Sequence, residues 1–129
     1  MTRDLELIKQ ILLKLEERES CSPEEIEIDG YEADAIAFNC ILLQEAGFIT
    51  GEMNDERGGG ELIAAWPARI TWNGFEFLDL SRNKDAWNKT KGFLKEKGAS
   101  VSISLFTEVL KFYVKELLDL NLGLEHLPK

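Results

Sequence analysis

The sequence predicts a mixed α+β fold, and three stretches carry the prediction. Residues 31–48, YEADAIAFNCILLQEAGF, repeat apolar side chains at helical spacing and stop at a glycine. Two strand-like segments, ITGEM and ELIAAW, flank a glycine-rich tip. ITWNGFEFLDLSRN then opens with a threonine suited to capping and continues with apolar residues. Over residues 31–82 the order is therefore helix, hairpin, capped helix.

Taken from the start, residues 3–18 read as a first helix. Leu5, Ile8, Ile11, Leu12 and Leu15 recur at spacings of three and four, with Thr2 or Asp4 as cap. Ile26 and Ile28 alternate with acids and suit a short strand, although Ser22 and Glu25 also fit a capping box for a helical turn at 23–26. From Glu32 the second helix places Ala33, Ile36, Cys40, Leu43 and Ala46 on one stripe, with Ala37, Ile41 and Phe48 beside it and Gly47 as its left-handed stop. Gly58, Gly59 and Gly60 read as a flexible hairpin tip, because no Lys and Ser/Thr follow at phosphate-loop spacing. Pro67 is expected to end the second strand, since it cannot donate to a ladder.

Thr71 is the expected cap of a helix from Trp72 to Ser81, with Phe75, Leu78 and Trp72 turned inward. Asp85 is the expected cap of a further helix closed by Gly98, in which Trp87, Phe93 and Leu94 form a narrow apolar face among Lys89, Lys91, Lys95 and Lys97. Trp66, Trp72 and Trp87 are expected to join the hairpin to the third and fourth helices; an exposed one would anchor a partner. The last helix, Ser104 to Asn121, is apolar around more than one stripe, and its Phe106, Val109, Phe112, Tyr113 and Leu117 are the candidate oligomer interface, a dimer being favoured. The tail GLEHLPK reads as frayed.

This order of elements is that of a winged-helix-like domain, three helices plus a β-hairpin wing, over residues 1–82. Residues 83–129 add two helices, expected to pack on the domain and to mediate oligomerisation. Charge divides the same way: residues 1–82 hold 18 acids and 7 bases, net −11, whereas residues 83–129 hold 6 acids and 8 bases, net +2. A field of the first kind repels phosphate backbones, so nucleic acid is a disfavoured partner. Two cysteines make no disulfide framework, no apolar run approaches the roughly 20 residues that span a bilayer, and the first residues carry charge in place of a signal sequence. A cytoplasmic setting without membrane contact is expected, with Cys40 buried and Cys21 exposed.

No catalytic, metal or cofactor signature stands out, and none of the three is expected. Glu24, Glu25, Glu27, Asp29, Glu32 and Asp34 read as a solvated acidic surface; a weak cation site at Asp29, Glu32 and Asp34 matches no calcium-loop spacing. His126 has no second histidine to make a zinc site or a nucleophile's base. Tyr31, Glu32, Asp34, Asn39 and Arg57 are the candidate partner surface. Asn39 and Gln44 have the side chain that pairs with adenine, but Glu32 and Asp34 occupy the end of the helix that would enter a groove, and Arg57 is the one base of the wing, against Glu52, Asp55, Glu56 and Glu61.

TRDLELIKQILLKLEE, DGYEADAIAFNCILLQEAGFITG, ITWNGFEFLDLSRNKDAWNKTK and SISLFTEVLKFYVKELL together resemble the bacterial and phage family known as domain of unknown function 2513. The ITWNGFEFLD and DAWNK pairing is the most specific part of the likeness, which spans almost the whole chain. The resemblance implies an origin in phages or mobile elements and supplies no catalytic residues. LLQEAGFITG followed by a hairpin and ITWNGFEFL is also similar to winged-helix regulators. The function expected is a non-enzymatic protein-interaction or accessory factor, with a DNA-binding transcriptional regulator as the alternative.

Overall fold

The computed structural model describes residues 1–54, 63–98 and 102–122, with side chains to residue 119. Among these residues the fold is α+β, five helices and one two-stranded antiparallel hairpin in the order α1, α2, β1, β2, α3, α4, α5. The glycine tip, Arg57 and the tail with His126 lie outside the described residues. The chain divides into two compact units, residues 1–78 and 79–129.

In the first unit, α1 (Leu5–Glu17) is capped by Asp4, whose carboxylate accepts from the Leu7 amide at 3.1 Å. Its buried stripe is Leu7, Ile8, Ile11, Leu12 and Leu15. Leu7 takes the inward place expected of Leu5, which is only half-buried. The second helix, α2 (Ala33–Glu45), buries Ile36, Ala37, Cys40, Ile41 and Leu43 against α1 and the hairpin. It ends in a Schellman turn: Phe48 N–H donates to Leu43 O and Gly47 N–H to Gln44 O, both at 2.9 Å, with Gly47 at φ +79°.

The hairpin pairs β1 (Ile49–Asn54) with β2 (Ala64–Ile70), Ile49 opposite Ile70, with a bulge after Thr50 that sets Gly51 opposite Pro67. Pro67 does not end the strand. Its carbonyl faces the outer edge, accepting from Glu24 N–H at 3.3 Å and Arg18 Nη2 at 3.0 Å. In an antiparallel ladder a residue's N–H and C=O share one edge, so the missing donor removes no bond to β1. Residues 23–28 form neither the expected strand nor the alternative helical turn. The outer edge of β2 is capped by a side chain instead, because Arg18 Nη2 also reaches Ala68 O at 2.6 Å and Ser22 O at 3.2 Å. Ile28 is nevertheless buried.

Helix α3 (Trp72–Ser81) leaves the hairpin through a tight junction. Thr71 N–H donates to Phe48 O at 2.9 Å, its hydroxyl donates to Gly47 O at 2.6 Å, and the same hydroxyl accepts from Gly74 N–H at 3.1 Å. Thr71 thus caps α3 while fastening it to the end of α2. Gly74 lies against this turn: a Cβ there would strike the Phe48 carbonyl and approach Ile70 Cγ2 to 2.6 Å. The approach seats Phe77 on Phe48, ring centroids 5.3 Å apart, and buries Leu78. It turns Trp72 and Phe75 outward, where the sequence had them inward.

The second unit pairs α4 (Lys84–Glu96) with α5 (Ile103–Leu122). Asn83, not Asp85, caps α4, accepting from Ala86 N–H at 3.0 Å; Asp85 stands in the first turn, where its charge complements the helix dipole. Trp87 meets Phe106 edge-to-face at 4.9 Å, and Leu94 and Leu110 are buried with them. Gly98 closes the helix at φ +64°.

The two helical glycines differ in surroundings, since a Cβ on Gly92 of α4 would meet nothing within 4 Å. Gly74→Ala is expected to lower stability by about 1–3 kcal/mol through overpacking, despite alanine's better helix propensity. Gly92→Ala is expected to raise it by up to about 1 kcal/mol. Urea denaturation of both variants checks this, and similar shifts at the two sites would contradict the close packing at Gly74.

Candidate functional site

Among the residues singled out from sequence, Asn39 occupies an unexpected place. It is 1% exposed, with Oδ1 accepting from Asp4 N–H at 2.9 Å and Nδ2 donating to Ala35 O at 2.9 Å and Thr2 O at 3.4 Å. Its amide therefore ties the segment ahead of α1 to α2. A side chain so engaged presents nothing to a partner, which corrects its assignment to the partner surface. Glu32, Asp34 and Glu45 remain exposed on and beside α2, while Gln44 is half-buried. Tyr31 is half-buried, and its phenol is pushed up from the ordinary value of 10.0 by burial first and then by the charges of Asp4 and Glu6.

The solvent face of α2 is thus acidic, with Asn39 withdrawn into the fold and half-buried Gln44 as its remaining amide. Arg18, although basic, is turned onto backbone carbonyls, with its Nη1 3.9 Å from Glu24 Oε2. Beside α2 lies a cleft of about 70 Å³ lined by Ile26, Ala33, Ile36, Ala37 and Ala65, with Glu25 as its titratable neighbour. Among the described residues that line the cleft, Glu25 is the one titratable group, whereas acid–base chemistry uses a pair. Among the described residues no three His, Cys, Asp or Glu side chains converge as metal ligands, Asp29, Glu32 and Asp34 included.

The second unit carries two further surfaces. Lys89, Lys91, Lys95 and Lys97 are exposed on α4, with Lys97 Nζ 5.7 Å from the Phe93 ring centre. On α5, Phe112 is 58% exposed and stands edge-on to Tyr113 at 5.5 Å; Leu105 and Leu118 are also exposed, and Val109, Tyr113 and Leu117 are half-buried. Phe106 is buried against Trp87 within its own unit. Trp72 and Phe75 of α3 are exposed features that helical periodicity assigned to the core. No local pattern marks them as outward, because the rotation of α3 is set by the contact of Gly74 with Phe48.

A winged-helix-like α+β unit with extra carboxy-terminal helices is the class these elements define. The chain belongs to the family described as hypothetical protein DUF2513, whose profile matches residues 2–100. It is also similar to a protein of Haemophilus influenzae strain Rd described as an uncharacterized protein, with 32% identity over 122 residues, covering 92% of this chain and 99% of that one. No solved structure matches. The family match takes in α1 through α4 and stops short of α5. Among the described residues, no helix is long and apolar enough to cross a membrane.

Both cysteines are unpaired, Cys21 exposed and Cys40 fully buried. Burial pushes the Cys40 thiol from the ordinary 9.0 up to about 12. The folded chain then keeps a proton that the unfolded chain releases near pH 9, so this contribution is fully present below about pH 9 and is lost as pH rises toward 12. A thiol reagent is expected to modify one cysteine in the native protein and two in urea, and stability is expected to fall more steeply above pH 9 in the parent chain than in Cys40→Ala. Two thiols modified without denaturant would show that Cys40 is accessible.

Proposed function

We propose that this chain is a non-enzymatic interaction module, an accessory factor of phage or mobile-element origin that binds another protein and self-associates through α5. The observation that carries the reading is the face of α2. Its solvent-facing side offers Glu32, Asp34 and Glu45, and its one suitably placed asparagine is held inside the fold by Asp4 and Thr2. Phosphate backbones are repelled by such a face, whereas a basic protein surface is attracted to it. Supporting self-association, Val109, Phe112, Tyr113 and Leu117 place apolar area toward solvent on α5. The unpaired cysteines fit a reducing, cytoplasmic setting.

A second reading, a DNA-binding regulator, is favoured by one feature: the four exposed lysines of α4. They are outnumbered by the acids of residues 1–82, whose net charge is −11 from 18 acids and 7 bases. The first reading therefore stands ahead.

Capture from a host lysate with the full chain as bait, run with and without nuclease, separates the two. A protein partner retained after nuclease supports the interaction module, and recovery of nucleic acid lost at moderate salt supports the regulator. Phe112→Glu is expected to reduce the oligomer to a monomer with unchanged helix content, read by light scattering and circular dichroism. An unchanged mass in solution would remove the α5 interface.

A further inference from the structure

The outward face of α3 holds an aromatic pair with no role in the core. Trp72 is 79% exposed and Phe75, one turn along, is 41% exposed. Scattered surface apolar residues are ordinary; this pair is distinguished by how it is held. Thr71 fixes the first turn of the helix onto Gly47 and Phe48, so Trp72 is presented from a rigid point. The indole Nε1–H donates to the Glu76 carboxylate one turn away. That bond uses the one polar group the ring has. What remains for a partner is the π face of the indole, the apolar surface of Phe75, and the further lone pairs of a carboxylate held against the ring edge.

A side chain matching all three has a planar, weakly hydrated cation at the end of an apolar stem. Arginine fits: its guanidinium stacks on indole, donates to a carboxylate, and lays its methylenes along a neighbouring ring. Lysine offers a compact and strongly hydrated charge instead, which gains less from a ring face. The amino-terminal part of the chain has the matching sign overall, since residues 1–82 carry 18 acids against 7 bases. The geometry points to this face of α3, Trp72 with Phe75 and Glu76, as a docking site for an arginine-bearing segment of a protein partner. The assignment goes beyond the α2 and α5 surfaces and does not depend on self-association.

The test is fluorescence anisotropy with the full chain and three labelled ten-residue peptides, in which alanine alternates with arginine, lysine or glutamate. The arginine peptide is expected to bind at least about threefold more tightly than the lysine peptide, and the glutamate peptide not at all. Trp72→Ala is expected to weaken arginine-peptide binding about tenfold and Glu76→Gln about threefold. Glu17→Gln, an exposed acid on α1, is expected to leave it unchanged. Because Trp72 is exposed, its variant keeps the parent's melting temperature, which separates lost docking from lost folding. Phe112→Glu keeps the binding, so failure of the α5 interface does not touch this site. Equal affinity for arginine and lysine with no effect of Trp72→Ala would reduce the binding to general acidity and overturn the proposal. So would self-association abolished by Trp72→Ala, which would assign the patch to a second copy.

Discussion

The close approach of Gly74 to the Phe48 carbonyl is the constraint on which the first unit's arrangement turns. Any side chain at position 74 would strike that carbonyl, so only glycine lets α3 settle on the turn that ends α2. Once seated, Thr71 serves both elements, with its amide and hydroxyl on Phe48 and Gly47 and its oxygen capping Gly74. The rotation of α3 then follows. Phe77 and Leu78 face the core, and Trp72 and Phe75 cannot. A local packing requirement in the sequence ITWNG thereby determines which aromatics the molecule shows to solvent.

The electrostatic character of the first unit has a comparably local origin. Arg18 sits at the end of α1, and its guanidinium satisfies the Pro67 and Ala68 carbonyls that a paired strand would otherwise serve, and reaches Ser22 O as well. Its charge therefore works inside the fold, and the acids of α2 face solvent with one basic group fewer to offset them. Buried carbonyls need partners, and here the partner is a side chain rather than a third strand. Pro67 is tolerated within β2 because its missing N–H lies on this outer edge, away from β1.

Elements whose signals are local were legible in the sequence. The helices α1 and α2 followed from apolar spacing, Gly47 and Gly98 from their place just after helical runs, where each takes a positive φ, and Thr71 from its place before an apolar run. Features fixed by distant partners were not. Asn39 reads as a surface amide until Asp4, 35 residues away, is seen to donate to it. Pro67 reads as a terminator until the edge its carbonyl faces is known, and the strand expected at Ile26 and Ile28 gives way to Arg18. Asp85 and Asn83 are both good caps by composition, and only the start of α4 decides between them. For the candidate surfaces, the acids of α2 and the width of α5 were visible beforehand. The outward aromatic pair was not, since 3.6-residue periodicity gives a helix's apolar stripe but not its rotation against a neighbour.

Together these features describe a chain whose first unit offers an acidic, aromatic-bearing surface and whose second unit offers lysines and an apolar helix face. The proposed role rests on the acidic field prevailing over the lysines of α4 wherever phosphate is concerned. The most direct test is the affinity of the full chain for a mixed-sequence DNA duplex at low salt, about 50 mM, where phosphate contacts are strongest. No association is expected at micromolar protein. Micromolar binding that falls steeply as salt is raised would contradict it, and would show that the lysines, not the acids, govern what this protein meets.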